Sequence, residues 1–286
     1  MNNASWFCYN KGMIDAHVHI FADEIIRTRA SVDDPQFRIM YGDTKAKMAN
    51  AEDLLHYMDE NGIERAVVCN MTWIKRKYAD INNNYIMDVC ARHPKRLFPM
   101  VSLPLNFSEK DVWKIVPYLA AGAGIGEQRL TKKSLIDPDS PLTFLHDTIK
   151  ENDGIMLIHT SEPVGHLYPG KEKMTPDVLE PFIQRSSIPL VLAHFGGGIG
   201  FYALMKEVRE DLANCYFDTA ATPYLYSKEI YPLMISLVGS ERIILGTDYP
   251  LMGIKKVMKQ IDEAGLKKAD IAKITHKNAA SLFWKA

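Results

Sequence analysis

The sequence has no excess of charge of either sign, few glycines and few cysteines, and each shortage excludes a class of protein. Its 286 residues carry 34 Lys and Arg against 35 Asp and Glu, so no nucleic-acid partner is expected. The 17 Gly and 4 Cys are too few for a collagenous or disulfide-stapled chain. Hydrophobic residues make up 47% of the chain, which excludes intrinsic disorder. The composition predicts an ordinary globular protein.

The chain also lacks paired cysteines and long apolar runs. Cys8, Cys69, Cys90 and Cys215 are widely separated and form no C-x-x-C motif, which excludes a zinc knuckle and a thioredoxin-like site. Residues 1–12 have no apolar core of a signal peptide, and no run approaches the roughly 18 apolar residues of a membrane span. We therefore expect reduced thiols, no membrane partner and a cytoplasmic location.

Short apolar runs rich in β-forming residues alternate with longer stretches in which apolar residues recur at helical spacing. Several runs, such as Ile155 to Ile158, are continuously apolar, which is typical of parallel strands covered on both faces. The predicted strands are 13–20, 65–70, 97–103, 124–130, 155–160, 190–194, 215–219 and 243–248. The predicted helices are 51–61, 81–92, 109–121, 141–152, 176–186, 200–213, 228–238, 254–264, 268–275 and 277–284.

Eight β-then-α units predict an α/β protein with a single (β/α)₈ TIM barrel over residues 1–286. A doubly wound sheet would place a Gly-rich phosphate loop after the first strand, but Phe21-Ala22-Asp23-Glu24 follows there. Segment 21–50, at roughly 30 residues, exceeds the usual two to six residues of a βα loop. We interpret it as an insertion that serves as a lid or as an oligomer contact.

The first predicted strand contains His17 and His19, two residues apart. Side chains at i and i+2 point to the same face of a strand, so the two imidazoles are expected to converge at the barrel mouth. Two neutral imidazoles suit one divalent metal. A chance pair on a surface strand is the competing interpretation.

Three further polar residues fall at predicted strand ends: His159, His194 and Asp248. Barrel enzymes keep their chemistry at the C-terminal ends of the strands, so this placement favours a functional site. A hydrogen-bonded core histidine would explain His159 or His194 taken alone. The three together favour a site at the barrel mouth.

Glu127 lies inside the predicted fourth strand, where a carboxylate is costly unless it is paired or bound to metal. One interpretation is an internal ion pair with Arg129, which faces the same side. The other is a metal-bridging Glu127 and an Arg129 that clamps a substrate anion. His166, Tyr168 and Tyr249 follow strand ends and are candidate substrate contacts, although a solvated loop fits His166 and Tyr168 equally well.

Taken in order, these residues resemble the amidohydrolase superfamily, and within it the amidohydrolase-related branch of aminocarboxymuconate-semialdehyde decarboxylase, γ-resorcylate decarboxylase, pyrone-dicarboxylate lactonase and related metal-dependent hydrolases. The matching segments are Ile14-Asp15-Ala16-His17-Val18-His19, His159, Ala193-His194-Phe195-Gly196-Gly197-Gly198, Gly246-Thr247-Asp248-Tyr249-Pro250 and Asn278-Ala279-Ala280-Ser281-Leu282-Phe283. The resemblance implies one divalent metal, usually zinc or manganese, on His17, His19, His159 and Asp248. It implies that His194 contacts substrate or metal-bound water.

The chain departs from related patterns at two positions. Other branches carry a carboxylated lysine on the fourth strand, but no lysine lies between Gly124 and Leu130, and Glu127 occupies that region. This is similar to TatD-type deoxyribonucleases, whose glutamate helps to hold two metals. γ-Resorcylate decarboxylase has Glu where this chain has His17. We expect one ion, with a second through Glu127 left open; zinc is the first choice, and manganese, iron or nickel remain alternatives.

The reaction expected from these residues is hydrolysis of a small anionic ester, lactone or amide by metal-activated water. Asp248 would accept the proton and His194 would stabilise the developing oxyanion. A non-oxidative decarboxylase of a small aromatic or muconate-type acid is the first alternative, and a non-enzymatic barrel used for binding or scaffolding is the second. A homodimer through segment 21–50 is a family-level expectation.

Overall fold

The computed structural model describes residues 12–137, 139–171 and 174–285. Cys8 and nearly all of segment 1–12, which is predicted not to be a signal peptide, therefore lie outside the described residues. The other three cysteines are buried free thiols, and burial raises the pKa of Cys215 to about 12. In the part of the chain that is described, no helix is both long enough and apolar enough to cross a membrane.

Eight parallel strands form one sheet in the order β1 to β8, and each strand pairs with the next along the chain. Backbone hydrogen bonds from Ala16 N to Leu245 O (2.7 Å) and from Asp248 N to His17 O (2.9 Å) join the last strand to the first. The barrel predicted from the sequence is therefore confirmed. The strands are β1 (Met13–His19), β2 (Ile63–Cys69), β3 (Leu97–Val101), β4 (Gly124–Gln128), β5 (Met156–Ile158), β6 (Leu190–Leu192), β7 (Cys215–Asp218) and β8 (Ile243–Ile244).

Helices surround the strands and mostly lie within a few residues of their predicted bounds. The helix at Ala51–Asn61 shows why: Asn50 and Asp53 form a reciprocal capping box, and Gly62 ends the helix with φ 68°. The helices are Asp23–Arg27, Pro35–Tyr41, Ala51–Asn61, Arg76–Arg92, Glu109–Ala120, Lys132–Ile136, Pro141–Glu151, Pro176–Arg185, Lys206–Asp211, Thr222–Leu225, Ile230–Val238, Ile254–Glu263, Lys268–Ala272 and Asn278–Trp284, with short 3₁₀ turns and a π turn at Lys273–Lys277.

One predicted helix is divided in the structure, and all eight strands end one to four residues earlier than predicted, β8 by the most. Segment 200–213 is divided, because Met205 takes an extended conformation between a 3₁₀ turn at Ile199–Leu204 and the helix at Lys206–Asp211. β6 and β8 end earlier than predicted. The backbone turns left-handed after each of them, at His194 (φ 57°) and at Asp248 (φ 65°).

The insertion after β1 contains the helices Asp23–Arg27 and Pro35–Tyr41 and packs on the loop that follows β2. Phe37 stacks on Trp73 with ring centroids 5.3 Å apart. Asp34 caps the second helix through Phe37 N and also accepts hydrogen bonds from the backbone of Ile74 and Lys75. These contacts fix the insertion beside the C-terminal ends of the first strands, where the candidate residues lie.

Candidate metal centre

His17 and His19 meet as their spacing on β1 predicts. Their Nε2 atoms are 3.1 Å apart. The other ring nitrogen of each is already engaged: His17 Nδ1 donates to Asp218 Oδ2 (2.8 Å) and His19 Nδ1 donates to the carbonyl of Cys69 (2.9 Å). Both Nε2 atoms therefore present lone pairs to the same point. Two nitrogen ligands of one tetrahedral zinc would lie roughly 3.3 Å apart, so the pair fits a divalent ion.

Asp248 joins this pair from the segment after β8. Its Oδ1 lies 3.3 Å from His19 Nε2, and its side chain is 16% exposed. The left-handed backbone at this residue, uncommon for a residue with a side chain, turns the carboxylate back over β1. The bond from its amide to the carbonyl of His17 fixes this turn.

Glu127 on β4 lies between two pairs of imidazoles. Its Oε2 is 3.6 Å from His17 Nε2 and 3.5 Å from His19 Nε2. Its Oε1 is 2.7 Å from His159 Nδ1 and 3.4 Å from His194 Nε2. These contacts favour the interpretation of Glu127 as a bridging carboxylate.

Loop carbonyls orient the second pair of imidazoles. His194 Nδ1 donates to the carbonyl of Ala220 (3.0 Å), which leaves its Nε2 facing Glu127. His159 Nε2 lies 3.1 Å from the carbonyl of Gly170, which leaves its Nδ1 facing Glu127. A carbonyl only accepts, so in the neutral rings the nitrogens that face Glu127 carry lone pairs.

The buried carboxylates of the cluster are stabilised by nearby positive charge. Burial by itself raises the pKa of Glu127, but the nearby imidazoles of His159 and His17 outweigh burial and hold that pKa well below its usual range. Burial lowers the pKa of His17, but the carboxylates of Asp218 and Glu127 outweigh it and raise that pKa well above the usual value. A bound divalent cation provides the same compensation for the buried carboxylates.

Sequence reasoning missed two buried carboxylates that support the cluster. Asp218, at the end of β7, is fully buried and accepts hydrogen bonds from His17 Nδ1 and from the backbone of His194 (2.9 Å) and Ala220 (3.0 Å). Asp15 accepts from Thr247, and burial raises its pKa to about 7. Asp218 could have been predicted as a site residue by the pattern that identified His159, which is a polar residue at the C-terminal end of an apolar strand.

The other predicted site residues lie near the barrel mouth but contact other groups. Arg129 is buried and donates from Nη2 to the carbonyl of Gly170 (2.7 Å). His166 is exposed, and the hydroxyl of Tyr168 donates to Glu162 (2.9 Å). The ring of Tyr249 stacks on Tyr57 with centroids 4.2 Å apart. Their roles as substrate contacts stay predictions.

Among the described residues, two groups of three side chains have their ligand atoms close enough together to hold an ion. They are His17, His19 and Glu127, and Glu127, His159 and His194. Asp248 lies with the first group through His19. The structure thus brings all the expected ligands together, but it places His159 on the opposite oxygen of Glu127 from His17 and His19.

A family model described as Amidohydrolase matches residues 14–284. Solved structures with the same fold include 5-carboxyvanillate decarboxylase LigW from Sphingomonas paucimobilis, which is 15% identical with a TM-score of 0.75 over 96% of this chain and 99% of that chain. The 2,6-dihydroxybenzoate decarboxylase from Rhizobium is 18% identical with a TM-score of 0.69 over 96% and 99%. A dihydroxybenzoic acid decarboxylase from Polaromonas sp. JS666, with bound manganese and the inhibitor 2-nitroresorcinol, is 18% identical with a TM-score of 0.71 over 96% and 97%.

A curated protein, the formate-dependent phosphoribosylglycinamide formyltransferase of Dechloromonas aromatica (strain RCB), is 27% identical over 107 residues, which are 36% of this chain and 27% of that protein. The chain thus matches about a quarter of the length of that relative. A segment this short omits most of the barrel and carries no argument about function.

The hydrolase predicted from the sequence is wrong, and its first alternative is favoured, because the three solved structures named above, which share the barrel over nearly its whole length, are decarboxylases. The physical reason for the error lies in the ligand set. Imidazoles and carboxylates around a divalent ion can activate water, and they can equally hold a substrate anion while a carboxyl group delivers a proton. The metal ligands alone do not select the reaction.

Proposed function

The chain belongs to the amidohydrolase family, and on that premise we propose that it is a metal-dependent decarboxylase that releases CO₂ from a small aromatic acid. The observation that carries the proposal is the buried cluster of imidazoles and carboxylates at the C-terminal ends of the strands. It lies in a barrel that the chain shares with aromatic-acid decarboxylases over 96% of its length.

The residues proposed to hold the ion are His17, His19 and Asp248, with Glu127 beside them. Imidazole and carboxylate ligands suit both manganese and zinc. The manganese in the Polaromonas enzyme, which shares the fold, makes manganese the ion that we propose first. When bound, a divalent ion supplies positive charge that holds the anionic groups of an aromatic acid and stabilises negative charge developing on its ring.

In the proposed reaction, the bond between the ring carbon and the carboxylate carbon breaks. The electron pair stays on the ring carbon, CO₂ leaves, and one proton takes the place of the carboxylate. Asp248 is placed to relay that proton from water to the ring carbon, because its carboxylate is held at the mouth of the barrel by its own backbone turn. Burial opposes its ionisation, but the hydrogen bond with His19 and the nearby imidazoles keep its pKa low, so Asp248 must take up a proton before it passes one on.

Burial lowers the pKa of His194, but the hydrogen bond with Glu127 and the charge of that carboxylate raise it to about 9. At neutral pH the protonated ring would therefore donate from Nε2 to the developing negative charge, while its Nδ1 donates to the carbonyl of Ala220.

The test is to load the purified chain with manganese or zinc and to incubate it with hydroxybenzoate-type and aminomuconate-type acids. We expect CO₂ release and, in D₂O, one deuterium on the carbon that lost the carboxylate. Asp248→Asn should lower kcat by about 100-fold or more, which is the usual contribution of a positioned acid. Glu263→Gln, which changes an exposed carboxylate on the outer helix Ile254–Glu263, is the control and should leave kcat unchanged.

A folded, metal-loaded chain that releases CO₂ from none of these acids would overturn the proposal. Equal kcat values for Asp248→Asn and the control would remove Asp248 from the proton-transfer step, while the decarboxylase assignment would stand on the measured CO₂.

A further inference from the structure

We propose that Glu162 and Tyr226 form a subsite that binds a hydroxyl group on the ring of the aromatic acid, across the barrel mouth from the imidazoles of β1. This inference rests on the proposed function and deepens it, because it names the residues that recognise a substituent of the substrate. Glu162 lies in the loop after β5. Tyr226 directly follows the short helix Thr222–Leu225 after β7.

The first argument is a pair of buried polar atoms that lack hydrogen-bond partners. Within residues 12–137, 139–171 and 174–285, neither Glu162 Oε1 nor the hydroxyl of Tyr226 forms a hydrogen bond, although both atoms are buried. Burial and the nearby charge of Glu162 raise the pKa of Tyr226, so its hydroxyl lies close to that carboxylate and keeps its proton. Because buried polar groups are nearly always paired, this acceptor and this donor indicate a polar ligand between them.

The second argument is that other contacts hold both groups in place. Glu162 Oε2 accepts a hydrogen bond from the hydroxyl of Tyr168 at 2.9 Å, which fixes the carboxylate and leaves Oε1 for another donor. The ring of Tyr226 packs edge-on against Phe195 and Phe201, with ring centroids 6.3 Å apart in each case. Groups that are already fixed lose little conformational freedom when they bind a ligand. Tyr168 therefore orients the subsite.

The third argument is the place of the subsite at the barrel mouth. Ser161 precedes Glu162, and its Oγ lies 3.4 Å from His159 Nε2, so the subsite borders the buried cluster. The sheet order places β5 across the closed barrel from β1. An aromatic acid whose carboxylate lies toward β1 therefore presents the far side of its ring to Glu162 and Tyr226.

The chemistry of the two groups selects a hydroxyl. A carboxylate only accepts hydrogen bonds, whereas a phenol can donate one. A hydroxyl on the substrate can donate to Glu162 and accept from Tyr226 at the same time. A methoxy group only accepts, and Glu162 would repel a second carboxylate. In the competing arrangement, Tyr226 donates to Glu162 and neither residue contacts the substrate.

The experiment measures the binding of benzoate and of its three monohydroxy derivatives to the full, manganese-loaded chain by titration calorimetry. CO₂ release and manganese per chain are recorded for the same samples. We expect at least one hydroxybenzoate to bind about 10- to 100-fold more tightly than benzoate, which is the range for a hydrogen bond to a charged group.

Two variants and one control assign this preference to the subsite. Glu162→Gln and Tyr226→Phe should each remove most of it while the affinity for benzoate and the manganese content stay the same. The control is Tyr224→Phe, two residues earlier in the chain, which changes a tyrosine that is 49% exposed and whose hydroxyl contacts Lys256. It should retain the preference.

The inference is overturned if the folded wild-type chain binds none of the four acids, or binds no hydroxybenzoate more tightly than benzoate. A preference that survives in both Glu162→Gln and Tyr226→Phe, or that is lost equally in Tyr224→Phe, also overturns it. The proposed function fails separately. Hydroxyl-dependent binding without CO₂ release from any aromatic acid refutes the decarboxylase and leaves the subsite, whereas CO₂ release without a hydroxyl preference refutes the subsite alone.

Discussion

The replacement of Asp218 by asparagine tests whether a residue that cannot contact the ion controls metal binding. Asp218 Oδ1 accepts from two backbone amides, of His194 and Ala220, while Oδ2 accepts from His17 Nδ1. An asparagine oxygen can retain the two amides, and its NH₂ group then faces His17 Nδ1. Two donors cannot bond, so the neutral ring is driven to the tautomer that carries its proton on Nε2. That nitrogen then has no lone pair for the ion.

Loss of the partner that orients a metal-binding histidine typically costs about 10- to 100-fold in metal affinity. We expect the Kd of Asp218→Asn for the divalent ion to rise by that factor, which equals a loss of about 1.4–2.7 kcal/mol of binding free energy. Titration calorimetry, or competition with a chelator of known affinity, measures it directly. The matched control is Asp15→Asn, a second buried carboxylate whose side chain accepts from Thr247 rather than from an imidazole ring.

The control is well matched because burial already raises the pKa of Asp15 to about 7, so its uncharged form, which asparagine resembles, is populated at neutral pH. Its metal affinity should remain close to that of the wild-type chain. If Asp218→Asn binds the ion as tightly as Asp15→Asn does, and both are folded by circular dichroism, the tautomer argument is refuted.

Three further predictions concern stability. Burial opposes ionisation of Asp111, but its hydrogen bonds, above all the one from Arg76, lower its pKa to about 2. The charged form therefore stabilises the fold above about pH 4, and this stabilisation is lost as the pH falls toward 2. Asp111→Asn should cost about 1–2 kcal/mol in urea unfolding at pH 7 and remove that pH dependence; an unchanged midpoint contradicts it. A Cβ on Gly197 (φ 58°) would lie 2.6 Å from Ser161 O, so Gly197→Ala should lower the free energy of unfolding by about 2–4 kcal/mol. The control Gly122→Ala (φ 89°), where a Cβ would meet nothing within 4 Å, should lower it by about 1 kcal/mol. Equal losses in the two variants would contradict the contact argument. Removal of the metal with EDTA should lower the Tm measured by calorimetry, because an ion present at 1,000 times its Kd stabilises the folded chain by about 4 kcal/mol. An unchanged Tm would contradict a resident ion.

The parts of the fold that were predictable are those coded by local pattern. Continuous apolar runs such as the one at β5 predict parallel strands buried on both faces, and the eight runs found in this way correspond to the eight strands. Residues at i and i+2 of a strand face the same side, so the convergence of His17 and His19 could be predicted from strand geometry alone. Both inferences need no knowledge of distant residues.

What could not be predicted depends on contacts between distant parts of the chain. No local pattern announces the left-handed backbone at His194 and Asp248, because both residue types usually adopt right-handed or extended conformations. The fold imposes these turns through distant bonds, such as the one from the His194 amide to Asp218 and the one from the Asp248 amide to the carbonyl of His17. They end the strands early and bring both side chains back to the cluster.

The same kind of distant contact decides which nitrogen of His159 faces the cluster. Strand geometry fixes the position of its ring, but the carbonyl of Gly170, eleven residues later in the loop after β5, selects the nitrogen by engaging Nε2. That carbonyl also accepts from Arg129 Nη2 (2.7 Å), which follows Glu127 by two residues on the β4 side of the site. Glu127 thus contacts one nitrogen of His159 directly, and Arg129 holds the carbonyl that contacts the other. A sequence that names candidate ligands can therefore still leave open which nitrogen of an imidazole faces the other ligands, because the loop carbonyl that selects the nitrogen carries no side-chain signature.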